Sequence, residues 1–151
     1  MGFGNVATTI ILFIAVMLLA TGVIITINNH VQQSQDSMKI QADALNNQIK
    51  TSILITEVNY TSGNLVLYIT NDGKTTLKTS KVDVFVDADF IPRNTTGRNI
   101  TIEPSTDTTN PGLWDPDEVL KINVTKTLDA GQHRVAVTTQ YGNKDEELFS
   151  T

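Results

Sequence analysis

The sequence predicts an all-β sandwich of immunoglobulin-like type, without an inter-sheet disulfide, on a single N-terminal transmembrane and stalk helix. Three observations predict it. Val6 to Ile27 is an uncharged apolar run. From Ser52 onward apolar residues alternate with polar ones in short segments bounded by turn residues, the period of half-buried strands. There is no cysteine, so disulfides, thiol nucleophiles and Cys-based metal sites are excluded.

The apolar run, VATTIILFIAVMLLATGVIITI, is long enough as a helix to cross a hydrocarbon core of roughly 30 Å. No charged side chain precedes Asp36. Its threonines are tolerable in lipid because each hydroxyl can bond a carbonyl one turn earlier. A cleaved secretory signal needs a basic n-region and a shorter apolar stretch. The segment MGFGN in front supplies no basic residue, so a retained helix is expected.

Residues 28–50 are rich in Gln and Asn and free of Gly and Pro. Val31, Met38 and Leu45 recur at seven, with Ala42 and Ile49 near the complementary position and Gln35 interrupting. A solvated helical stalk and a weak self-associating seam account for this pattern about equally well. The expected organisation is therefore 1–27 membrane helix, 28–50 stalk and 51–151 extracytoplasmic sandwich.

Strands are expected at residues 52–58, 64–70, 81–87, 99–102, 119–125 and 133–139, with a short last edge at 147–149. Thr61-Ser62-Gly63 and Asn71-Asp72-Gly73-Lys74 supply turn residues between the first three. No helical periodicity interrupts them, and about 100 residues suffice for a core of this class.

The chain holds 16 acidic and 11 basic residues, net −5. Only Asp36, Lys39, Asp43 and Lys50 carry charge before residue 51. The acidic sandwich argues against nucleic acid as a partner. Four Asn-x-Thr sequons, at Asn59, Asn94, Asn99 and Asn123, lie beyond the apolar run. They are candidate glycosylation sites and favour a C-terminal domain facing outward.

Nothing in the chain has a catalytic pattern. There is no Gly-x-Ser-x-Gly elbow, no phosphate-cradling glycine loop and no Glu-x-x-His pair. Asp72, Asp83, Asp87 and Asp89 are hard oxygen donors without calcium-loop spacing, and solvated turn carboxylates are the expected role. His30 and His133 stand far apart in sequence, so neither a metal nor a cofactor is expected. Trp114, before Pro116 and leading into a strand, is expected to cap the sandwich; exposed, it would mark a contact. Leu148 and Phe149, on the last edge strand, are the other candidate contact residues.

The run Ile10 to Ile24 resembles the hydrophobic helix of archaeal flagellins and their accessory proteins. Helix, Gln/Asn-rich extension and sandwich together resemble the archaeal flagellar (archaellum) proteins F and G. Within that likeness, Ile69 to Leu77 is similar to a polar turn between early strands. Trp114-Asp115-Pro116-Asp117-Glu118 is similar to a Trp-x-Pro-Gly-Glu turn, with Asp117 where the family pattern has Gly. Ala130 to Gly142 is similar to a late strand closing on Tyr-Gly. The resemblance implies a non-enzymatic, membrane-anchored stator of the archaeal motility motor. Its helix would sit in the bilayer, and its sandwich would grip the surface-layer protein or a sister sandwich subunit as a homo- or hetero-oligomer. Archaellins carry a charged leader and are longer, which favours an accessory anchor. A minor archaellin or pilin-like filament subunit and a generic cell-surface adhesion module are the alternatives.

Overall fold

A computed structural model describes residues 3–151. Helix α1 spans Phe3–Lys50 as one element. Its apolar side chains are exposed all round; Ile11, Leu18 and Leu19 each leave about two-thirds or more of their surface free. A helix apolar on every side with no protein against it has the character of a lipid-facing span. The hydroxyls of Thr8, Thr9, Thr21 and Thr26 each donate to the carbonyl four residues earlier, at 2.8–2.9 Å. These four hydroxyls of the apolar run are therefore all paired within the helix. The chain divides into two compact units, the second being Ala44–Thr151.

Eight strands build two four-stranded antiparallel sheets. They are β1 (Leu54–Thr61), β2 (Asn64–Thr70), β3 (Asp83–Val86), β4 (Asp89–Ile91), β5 (Arg98–Ile102), β6 (Val119–Thr125), β7 (Gln132–Thr138) and β8 (Lys144–Ser150). One sheet has the order β1-β2-β6-β5 and the other β4-β3-β7-β8. The alternation seen in sequence is the alternation of faces. Leu65, Leu67 and Ile69 of β2 and Leu120, Ile122 and Val124 of β6 point inward from one sheet. Val84 and Val86 of β3, Val135 and Val137 of β7 and Phe149 of β8 meet them from the other. Each such side chain contributes about 1.5–3 kcal/mol by leaving water.

The last strand, β8, is longer than the expected 147–149, and two turns also differ from the sequence expectation. A short strand, β4, follows β3 through a two-residue turn at Asp87 and Ala88, both at positive φ (52° and 71°). That is the backbone a tight hairpin needs to match the strand twist. The Asp72-Gly73 turn, by contrast, joins strands of different sheets and makes no hairpin. It packs on the end of α1 instead.

The joint between α1 and the sandwich lies wholly inside the second unit. A helix end leaves carbonyls without intrahelical partners. Here the Lys74 amide donates to the Lys50 carbonyl at 2.8 Å. The Asn143 side-chain amide donates to the carbonyls of Gln48 (3.0 Å) and Thr51 (2.8 Å). Buried Thr51 donates back to the Asn47 carbonyl at 2.7 Å and meets the Thr75 hydroxyl. Gly73 is obligatory for this approach, since a Cβ there would stand 2.5 Å from the Ser52 amide nitrogen and 2.7 Å from the Lys50 carbonyl oxygen.

At the opposite sheet edges Arg98 takes the place a cross-link would have. It is 8% exposed, and its guanidinium on β5 donates to the carbonyls of Ile91 (3.1 Å) and Val82 (2.7 Å). Burial lowers its pKa from the ordinary arginine value.

A candidate interaction face on the second sheet

The outward positions of β3, β4, β7 and β8 follow from the core alternation. Phe85 pairs with Phe90 on one side and Ala136 on the other, and Ala136 pairs with Glu146. Two residues along each strand, on the same face, Arg134 pairs with Leu148. The small side chain of Ala136 between Phe85 and Glu146, with Leu148 beyond, leaves an open groove of about 810 Å³. Arg134, Lys144 and Glu146 rim it, and Asp87 and His133 close one end. Phe85 and Phe90 lie 5.4 Å apart, ring centre to ring centre. Phe90 and Leu148 are about half exposed, at 49% and 52%. An apolar floor with mixed charges at its rim is the anatomy of a protein contact.

The end of the groove is a fixed polar clasp. His133 Nδ1 is 2.5 Å from Asp87 Oδ2, and its Nε2 is 2.8 Å from the Asp129 carbonyl. Two acceptors, one at each ring nitrogen, are both served only by the doubly protonated imidazolium. The Asp87 carboxylate, and after it the Asp129 carbonyl, hold the His133 pKa above its ordinary value. The Asp87 pKa is lowered, first by the backbone amide of Arg134 (2.9 Å) and then by His133. The ring of Phe149 lies 5.8 Å from that of His133.

The candidate contact residues separate. Leu148 lines the groove. Phe149, its neighbour in sequence, faces the core at 8% exposure with Tyr60 at 6.3 Å, because alternate strand residues take opposite faces. Trp114 is fully buried, its strand-like bridge to Leu77 closing one end of the sandwich. Its indole N–H donates to the Glu118 carbonyl at 2.9 Å, and the buried Glu118 carboxylate accepts amides of Asp115 (2.9 Å) and Thr108 (3.2 Å). Neither aromatic offers a free surface. The buried amide of Asn71, donating to the carbonyls of Thr75 and Trp114, completes this corner. Sequence reasoning passed over Asn71 because one asparagine in a turn segment has many bland roles.

Of the four acidic candidates, Asp83, Asp87 and Asp89 are held by neighbours, and Asp72 is an exposed turn carboxylate. Asp83 pairs with Arg93 (2.7 Å) and Asp89 with Lys126 (2.9 Å), both near the surface. Among the described residues no group of three or more His, Asp or Glu side chains converges as a metal set. The four sequon asparagines, Asn59, Asn94, Asn99 and Asn123, are all exposed.

A model of the archaeal-type flagellins matches residues 2–147, the apolar helix and the sandwich alike. The chain belongs to the archaeal-type flagellin family. Among solved structures, this family member is similar to the archaellum periplasmic stator protein FlaG from Sulfolobus acidocaldarius. The two share 19% identity over 66% of this chain and 99% of that one, with a TM-score of 0.52. The likeness is one of fold. The FlaF and FlaG stator complex from the same organism gives 19% identity, 64% and 87% coverage and a TM-score of 0.48. No curated protein matches the chain.

Proposed function

We propose that this flagellin-family chain is a membrane-anchored structural component of the archaellum, acting as a stator. In this reading α1 holds the bilayer through Val6–Ile27, the C-terminal sandwich lies outside the cell membrane, and the groove on β4-β3-β7-β8 receives a surface-layer protein or a sister sandwich. One observation carries it: a sandwich of FlaG-like fold is built onto the last turn of a lipid-type helix by capping contacts from two of its loops. Such a joint ties the helix end at Gln48–Thr51 directly to the sandwich, which suits an anchor resisting rotation.

The groove is tested by binding. Full-length protein in detergent is titrated with isolated surface-layer protein and, separately, with a sister sandwich subunit. Saturable binding of either, lost at least tenfold in Leu148→Asp, supports the reading. Leu148 is a half-exposed surface position, so that substitution should change stability by no more than about 0.5 kcal/mol. Undiminished binding by the variant would move the contact elsewhere.

A filament subunit is the second reading, favoured by the family match extending over the helix. A helix apolar on all sides suits a filament core as well as a bilayer. Fractionation separates the two: the stator stays with membranes after filaments are sheared off, whereas a subunit leaves with them.

A further inference from the structure

We propose that the outer face of the β1-β2-β6-β5 sheet is a modification surface, where Asn59 and one of the pair Asn99 and Asn123 accept N-linked glycans. This rests on the outward-facing domain proposed above. The register supplies the observation. Asn59 on β1 pairs with Val66 on β2, Val66 pairs with Asn123 on β6, and Asn123 pairs with Asn99 on β5. Three of the four sequons therefore lie in one row across a single sheet, although they are scattered over three strands in sequence.

The row faces solvent. Its neighbours along the strands, Leu65, Leu67, Ile122, Val124 and Arg98, are buried, so positions between them point outward. The same period puts the Thr of each sequon, two residues on, beside its Asn. Thr61, Thr101 and Thr125 are exposed with their asparagines. Asparagine and hydroxyl of each acceptor are thus presented together on one accessible side. The strands of the other sheet contain no asparagine. The strand-borne acceptors are therefore confined to the face away from the groove.

Spacing sets the occupancy. Neighbouring strands lie about 4.8 Å apart, which places Asn59 about 10 Å from Asn123, room for a sugar on each. Asn99 and Asn123 are direct cross-strand partners with Cα atoms about 4.5–5.5 Å apart. A glycan on either covers the other, so the pair takes one. The chemistry is group transfer from a lipid-phosphate-linked oligosaccharide. Asparagine Nδ2 bonds to the sugar C1, and the C1–O bond breaks with its electron pair leaving on the lipid phosphate. The amide nitrogen gives up one proton to the transferase, and nothing is oxidised or reduced.

Asn94, in the turn between β4 and β5, is a control outside the row. Full-length protein made in an archaeal host with N-glycosylation is read by intact mass and glycopeptide mass spectrometry. A membrane-impermeant maleimide is applied in parallel to whole cells bearing a single added cysteine, Lys78→Cys. The expected maximum is three glycans per chain: Asn94, Asn59 and one of Asn99 or Asn123. Asn123→Gln should raise Asn99 occupancy without changing that maximum, and the Asn99→Gln, Asn123→Gln double variant should lower it by one. Chains carrying sugar on Asn99 and Asn123 together would overturn the exclusion. A bare row beside a modified Asn94, or four bare sequons on a domain labelled from outside, would overturn the row and leave the outward reading standing. Four bare sequons with labelling only after lysis would sink both.

Discussion

Single side chains decide the stability of the two ends of the sandwich. Trp114 fills its end completely, and its N–H is satisfied by the Glu118 carbonyl. Trp114→Ala is expected to cost about 3–5 kcal/mol, read as a fall in the thermal midpoint with the β-sheet circular dichroism retained at low temperature. At the groove end the His133 clasp makes stability depend on pH. The His133 pKa is raised in the folded state, so its contribution is complete below the unfolded value of 6.5 and is lost as pH rises through the folded value. Asp87 is lowered, so its contribution is present above 3.8 and is lost as pH falls through its folded value. The urea midpoint should therefore be highest between those limits, and His133→Gln should flatten the alkaline side and weaken the acid side, where the Arg134 amide still holds Asp87 down. An unchanged pH profile in that variant would show the clasp to be idle. Trp114 as a cap was legible from its place before a proline turn. The clasp was not, because the Asp87 turn and His133 are 46 residues apart and meet only through the β3–β7 register.

Among the elements, β2, β3, β6 and β7 were legible because a strand with one buried face must alternate. β4 was not, since three residues, Asp89-Phe90-Ile91, are too few to show a period. Most of β8 was hidden for another reason. As an edge strand it exposes both faces from Glu146 to Leu148, so polar residues stand on either side of the pleat and the alternation fades. The groove was equally invisible: it exists because pairing puts Ala136 between Phe85 and Glu146. The helix was legible in extent, but its attachment was not. At that joint Gly73→Ala must displace backbone, with an expected loss of about 1–3 kcal/mol. Asn143→Ala, which takes a donor from the carbonyls of Gln48 and Thr51, should cost about 0.5–1.5 kcal/mol. Hydrogen exchange of residues 44–51 would localise the effect: faster exchange there than in β6 is expected for both variants, and a uniform change would deny the joint any separate role.

At the scale of the molecule, the two sheets present unlike outer faces. One carries the sequon row, and the other carries Phe85 and Leu148 around an open groove. Composition alone gave a mildly acidic surface and no hint of this division, because it arises from register. Enlarging the glycan row should leave partner binding at the groove intact, whereas Leu148→Asp should abolish binding and leave glycan occupancy intact. Measuring both readouts on each variant checks that the faces are independent; crosstalk would mean that the partner reaches around the sandwich.

The capped helix end also bears on where this chain may be divided. A recombinant sandwich beginning at Thr51 would lack the carbonyls of Gln48 and Lys50, leaving Asn143 with the Thr51 carbonyl alone and the Lys74 amide to find water. One beginning at Ala44, the start of the second compact unit, would keep both acceptors and the turn that supports them. The longer fragment should be the more soluble and the slower to be nicked by proteases near Gly73. The natural cut therefore lies inside the helix, a full turn and more before it ends.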